Sequence, residues 1–145
     1  MMKTYVILLR GINVGGKNKI PMTELKLFLE EQGFEDVVTY IQSGNVVLRS
    51  ELGAKMLSAK IENSLPKKFK LDSSIIKIVA LDRKKFKKVV DQAPKEFGKD
   101  DSKYRYYVLF LMGTRASKAI KEAETYLCDD YYAQLEYNDQ TVGDP

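Results

Sequence analysis

Asp36-Val37-Val38-Thr39-Tyr40-Ile41-Gln42-Ser43-Gly44-Asn45-Val46-Val47-Leu48-Arg49 decides the fold. Two runs rich in Val, Ile, Tyr and Thr, at 36–41 and 46–49, flank the polar Gln42-Ser43-Gly44-Asn45. β-branched and aromatic side chains suit a pleated, half-buried surface. So short a polar interruption between them fits a hairpin with a tight or bulged connection. The stretch therefore reads as the second and third strands of an antiparallel pair.

Before the hairpin stand a strand and a helix. Thr4-Tyr5-Val6-Ile7-Leu8-Leu9-Arg10 is a near-continuous apolar run and reads as a strand buried on both faces. Pro21 fits the first position of a helix, Met22, Leu25, Phe28 and Leu29 give its apolar stripe, and Gly33 stops it. After the hairpin, Ala54, Leu57, Ile61 and Leu65 predict a helix over 52–65, with Pro66 ending or kinking it. Residues 74–80, with Ile75, Ile76, Ile78 and Val79, read as a fourth strand. The order strand, helix, strand, strand, helix, strand is the split βαβ, or ferredoxin-like, arrangement.

The fold class is thus α+β, with a ferredoxin-like unit over 1–81 and a second, smaller α/β unit over 82–145. In that second unit Asp82 is a good N-cap, and Phe86, Val89 and Val90 form a short stripe that Ala93-Pro94 stops. Residues 104–112 read as a central strand, and Ala116, Ala119, Ile120, Ala123 and Leu127 as the inward face of a helix. Residues 131–137 read as one more strand. So small a second sheet leans on the first unit, pairs with another chain, or has been cut short.

Composition excludes whole classes of chemistry. The 145 residues contain no histidine and one cysteine, Cys128. A histidine general base, a His-based triad and a His- or Cys-built metal site are out of reach. The lone Cys128 also excludes an internal disulfide, and no secretory or membrane-spanning segment is evident, so a cytoplasmic protein is expected. No cofactor is implied. The net charge of +4 suits an anionic partner, although Lys84-Lys85 and Lys87-Lys88 have the spacing of a solvated helix face.

The densest chemistry lies between the first strand and the first helix. Arg10-Gly11-Ile12-Asn13-Val14-Gly15-Gly16-Lys17-Asn18-Lys19 combines backbone freedom with positive charge. Gly11, Gly15 and Gly16 serve tight turns, and they also expose N–H groups beside a helix start, where anions are stabilised. Arg10 can grip a phosphate or carboxylate with two hydrogen bonds, and Lys17 and Lys19 add point charges. Asn13 hydrogen-bonds or tolerates a left-handed backbone. Gly11 to Lys17 matches the Walker spacing, but Asn18 stands where the magnesium-binding hydroxyl belongs, and an antiparallel sheet is the wrong host. Gln42, Ser43 and Asn45 are the expected neighbours of this loop. Ser43 has no visible activating group that would make it a nucleophile. The late tyrosines at 104, 106, 107, 131, 132 and 137 lack the basic-aromatic pattern of an RNA-reading sheet.

Two stretches carry a resemblance: Leu8 to Gly16 with Pro21-Met22 and Leu25, and Thr39 to Val47. They resemble the family called domain of unknown function 1697. The resemblance implies a bacterial protein of two different α/β units, the first ferredoxin-like, and it implies no reaction. Relatives usually run some tens of residues further, into an Arg-Asn-Trp-like segment. This chain has no Trp and stops at Pro145.

Three functions follow as expectations. The first is binding of a phosphate-bearing small molecule or nucleotide by Arg10, Gly11, Asn13, Gly15, Gly16, Lys17, Gln42, Ser43 and Asn45. The second, by fold analogy alone, is an acylphosphatase-like hydrolase using Arg10 and Asn45. The third is nucleic-acid binding through the Lys-rich faces.

Overall fold

A computed structural model describes residues 1–106 and 108–126. The chain divides into two compact units, Met1–Lys87 and Lys88–Pro145.

The first unit is ferredoxin-like. Its elements are β1 (Lys3–Arg10), α1 (Met22–Glu31), β2 (Glu35–Tyr40), β3 (Asn45–Ser50), α2 (Ala54–Phe69) and β4 (Lys77–Asp82). The strands make one antiparallel sheet in the order β2-β3-β1-β4. Tyr5, Ile7 and Leu9 of β1 point to the helix-covered face, with Val46 and Leu48 of β3 and Ile78 of β4. Leu25, Phe28 and Leu29 of α1 and Leu57, Ile61 and Leu65 of α2 close this core from the other side.

The alternation in β1 departs from what its composition suggests. Thr4, Val6 and Leu8 are half-buried, so β1 is fully buried on one face only. The apolar run reflects a central position in the sheet, not two covered faces. The register fixes what shares the outer face. Tyr40 pairs with Asn45, Asn45 with Leu8, and Arg10, two residues on from Leu8, with Lys77.

Helix ends follow local rules. Gly33, at φ +89°, closes α1: its N–H donates to the Glu30 carbonyl at 3.0 Å, and the Phe34 N–H donates to the Leu29 carbonyl at 3.2 Å. The buried Phe34 ring then lies just past the helix end, as a Schellman cap requires. Pro21 stands at the cap position of α1 rather than inside the first turn. Pro66 neither ends nor kinks α2 into two pieces, since the helix runs on to Phe69 and is capped by Lys70 in a left-handed conformation. In β4 the expected strand starts late. Asp72 accepts from the Ser74 N–H at 3.0 Å and its hydroxyl at 2.6 Å, which folds Ser73–Ile75 into a 3-10 turn. Glu62 of α2 accepts the Ile78 N–H at 2.9 Å, so a helix side chain occupies a donor of the edge strand.

Two hydroxyls tie the start of α2 to the sheet. The Tyr5 hydroxyl donates to the Leu52 carbonyl at 2.9 Å, and the Ser50 hydroxyl accepts the Leu52 N–H at 3.0 Å. Burial, reinforced by the Asp82 carboxylate, raises the Tyr5 phenol above its ordinary pKa.

In the C-terminal part, Asp82 accepts the Lys85 N–H at 2.8 Å and caps α3 (Arg83–Asp91). Residues 104–106 and 108–112 carry no strand. The further strand expected over 131–137 lies outside the described residues. The chain near 100 closes on itself instead. Asp100 accepts from the Ser102 hydroxyl at 2.7 Å, while its own N–H donates to the Tyr106 hydroxyl at 2.9 Å. Phe97 and Tyr106 meet edge to face, with ring centroids 5.2 Å apart. Helix α4 (Ala116–Tyr126) forms where expected, with Ala116 and Ala119 half-buried at its start. The side chains of Ile120 and Ala123 are not among those described, and Leu127, Cys128, Tyr107, Tyr131, Tyr132 and Tyr137 lie outside the described residues.

Candidate functional site

The loop between β1 and α1 is a small hairpin. The Val14 and Lys17 main chains exchange hydrogen bonds at 3.3 and 2.9 Å, and the Asn13 N–H donates to the Asn18 carbonyl at 2.9 Å. Gly15 and Gly16, at φ +58° and +76°, form the two-residue tip. Both central residues of such a turn need positive φ, which explains Gly-Gly here. The sequence suggests N–H groups gathered at a helix start. The structure instead places the two glycines at the tip of a hairpin with two short arms.

The two asparagines at the foot of the arms are clamps. Asn13, at φ +51°, accepts the Ile20 N–H on Oδ1 at 2.7 Å and donates through Nδ2 to the Ile20 carbonyl at 3.0 Å. The same Nδ2 donates to the Gln42 carbonyl at 2.8 Å. Its amide thus pairs with Ile20 as a strand would, and ties the arm to the β2–β3 turn. Asn18, at φ +49°, donates to the Gly11 carbonyl at 2.8 Å and to the Asp72 carbonyl at 3.3 Å, and accepts the Asp72 N–H at 3.0 Å. One loop is therefore laced to both other turns at this end of the sheet. The Ser74 hydroxyl and N–H hold the Asp72 carboxyl below its ordinary pKa, with Lys17 adding to the effect.

The β2–β3 turn is equally constrained. The carbonyl of its Gly44, a residue at φ +91°, accepts the Leu9 N–H at 2.9 Å. Gly44 has no room for a Cβ, which would meet Ile12 Cδ1 at 2.8 Å and Leu9 Cβ at 2.9 Å. Ile41 is the anomaly. A β-branched residue at φ +48°, it leaves 59% of its surface exposed. Left-handed backbone costs such residues roughly 1–2 kcal/mol, and the exposed side chain returns little by burial. Ile41→Asn is expected to stabilise the protein by about 0.5–1 kcal/mol, because asparagine tolerates this backbone. Urea unfolding of the two proteins measures it, and a lower midpoint for the variant would contradict it.

The arms, the turn and the start of α1 enclose a hollow of about 330 Å³ lined by Asn13, Gly16, Lys19, Ile20, Pro21 and Gln42. Of the residues expected to form a site, the structure gathers Asn13, Gly16 and Gln42 here, together with Lys19, which the sequence presents only as added charge. The α1 N-terminus opens at Pro21 with no side-chain cap on its first-turn N–H groups, and Glu24 already complements the helix dipole there. Gly11, Gly15 and Lys17 belong to the same loop but do not line the hollow. Arg10 and Asn45 share the outer face of the sheet instead. Asn45 Nδ2 donates to the Ser43 hydroxyl at 2.8 Å and to the Tyr40 carbonyl at 3.3 Å, so both side chains stabilise their own turn. Lys77, directly across from Arg10, is invisible as its neighbour in the sequence because the pairing depends on register. Among the described residues no cluster of His, Cys, Asp or Glu is arranged to hold a metal ion, and no helix is long and apolar enough to cross a membrane.

A family model described as a protein of unknown function (DUF1697) matches residues 2–136. Among solved structures, a conserved bacterial protein from Streptococcus pneumoniae is similar at 28% identity and a TM-score of 0.67, over 86% of this chain and 67% of that one. No curated protein matches the chain.

Proposed function

The chain belongs to the DUF1697 family of unknown function, and from that premise, which supplies no reaction, we propose that it binds a phosphate-bearing small molecule in the hollow beneath the glycine hairpin. One observation carries this reading: the exposed Lys19, Pro21 at the start of α1 and Gln42 of the β2–β3 turn line one concave space. The Lys19 ammonium favours an anion there, and the adjoining helix start adds to the positive potential as far as Glu24 leaves it uncompensated. Asn13 is the frame of the hollow rather than a ligand group, because its amide is committed to Ile20 and Gln42. The hydrolase reading has less support, since the Asn45 amide donor is engaged by Ser43 and Tyr40.

Thermal unfolding against inorganic phosphate and a set of nucleoside and sugar phosphates tests the proposal. A ligand at a hundredfold excess over its Kd stabilises by about 2.7 kcal/mol, which for a domain of this size raises Tm by roughly 5–10 °C. Lys19→Ala is expected to keep the unliganded Tm, because Lys19 is exposed, and to remove most of the shift. A shift that is absent for every compound, or that survives in Lys19→Ala, would reject the proposal.

A further inference from the structure

The outer face of the sheet carries a charge arrangement that the hollow does not explain. Arg10 and Lys77 are directly opposite each other on β1 and β4, both exposed. Like charges in that position repel and weaken strand pairing. Neither has a carboxylate across the ladder, and the acidic strand residues that meet this face among the described residues, Glu35 and Asp36, both stand by Arg49 near the other end of β3. Arg49 is in turn neutralised by Asp36 at 3.0 Å. Among the described residues the face is thus polarised, with positive charge that no carboxylate across the ladder offsets at the end that carries Arg10 and Lys77.

The same end presents an aromatic. Tyr40 is 70% exposed and belongs to the row Tyr40, Asn45, Leu8 across β2, β3 and β1. Arg10 lies two strands over and two residues along, roughly 12 Å from Tyr40 by strand spacing and rise. Val38, 60% exposed, and Val47 continue the apolar surface beside Tyr40. A single phosphate cannot reach both the cation pair and the ring. A chain with repeated phosphates and unstacked planar rings can.

We propose that the outer face of the sheet, through Arg10, Lys77 and Tyr40, binds single-stranded nucleic acid, with backbone phosphate between the two cations and a base stacked on Tyr40. Stacking on an exposed ring needs a base free of its duplex partner, which selects single strands over duplexes. A second copy of this chain is the poorer occupant, because it would bring its own Arg10 and Lys77 to the same face. None of these three residues lines the hollow.

Fluorescence anisotropy of the full chain with labelled single-stranded DNA and RNA of about a dozen nucleotides tests it. Binding is expected with a log–log salt slope of about −1.4, at roughly −0.7 for each of two neutralised phosphates. Arg10→Ala with Lys77→Ala should weaken binding more than tenfold and flatten that slope, while the unfolding midpoint holds or rises as the repulsion is relieved. Tyr40→Ala should weaken binding about tenfold with the slope unchanged. Lys19→Ala and Lys84→Ala with Lys88→Ala should leave it intact, which separates this face from the hollow and from a diffuse lysine effect. Absence of binding at about 50 mM salt, equal affinity for a duplex or a poly-glutamate peptide, or unchanged affinity in the Arg10 and Lys77 double variant would each overturn the proposal.

Discussion

Gly11→Ala is expected to lower stability by about 3 kcal/mol or more, a large share of the roughly 5–15 kcal/mol that holds a domain folded. Two effects add. Gly11 sits at φ +87°, where an L side chain costs roughly 1–2 kcal/mol. A Cβ there would also fall onto the Ile75 carbonyl, 2.8 Å from its carbon and 3.2 Å from the Ile76 nitrogen. Those are backbone atoms of the 3-10 turn and its exit, so relief requires the main chain to move, at a further cost of about 1–3 kcal/mol. Gly15→Ala is the matched control. It has the same sign of φ, +58°, and open space around its Cβ, so it should show the backbone cost alone. The difference in urea midpoint between the two variants measures the contact with Ile75. Equal losses would mean that the turn yields freely and that Gly11 matters only for its backbone.

That contrast also marks where sequence reading reaches its limit. Element order and the core stripes are legible because they are local periodicities. Leu57, Ile61 and Leu65 announce their own burial, and the Schellman close at Gly33 depends on neighbours in the chain. The role of Gly11 is not legible, because its partner, Ile75, is 64 positions away and meets it only once β1 and β4 are in register. Pro66 misleads for a related reason: its ring forbids one hydrogen bond, and a helix anchored on both sides by burial tolerates that loss. Residues 104–106 and 108–112 mislead because an apolar run alone does not specify a strand. The geometry of the candidate site is only half legible. Glycine and lysine density locates the loop, but composition cannot tell a cradle from a hairpin on two arms. It also cannot sort Asn13 and Asn18 into clamps, or put Arg10 beside Lys77 on a different surface from Lys19.

Asn13→Ala is expected to be the other severe change, with a loss of about 3–4 kcal/mol from the two costs that follow. The side chain makes three hydrogen bonds, at 2.7, 2.8 and 3.0 Å. Truncation leaves the N–H and carbonyl of Ile20, a residue only 1% exposed, without these partners. An unsatisfied buried group costs roughly 1–3 kcal/mol, and alanine at φ +51° adds about 1 kcal/mol more. Asn13→Gly removes the same bonds but accepts the backbone, so it should be less damaging by about that last amount. Asn13→Asp keeps the shape and the acceptor for the Ile20 N–H, yet turns an oxygen toward the carbonyls of Ile20 and Gln42, where a donor is needed. It should therefore destabilise despite its near-identical size, and less so at acidic pH, where a protonated carboxyl can again donate. Exchange of the Ile20 amide hydrogen gives the local readout: protection should fall in all three variants. If protection is kept in Asn13→Ala, the Ile20 N–H has found another acceptor and the clamp is not what holds the loop. Because the same amide fixes Gln42, phosphate binding in the hollow should weaken along the series in step with Ile20 protection, while oligonucleotide binding on the sheet face should not.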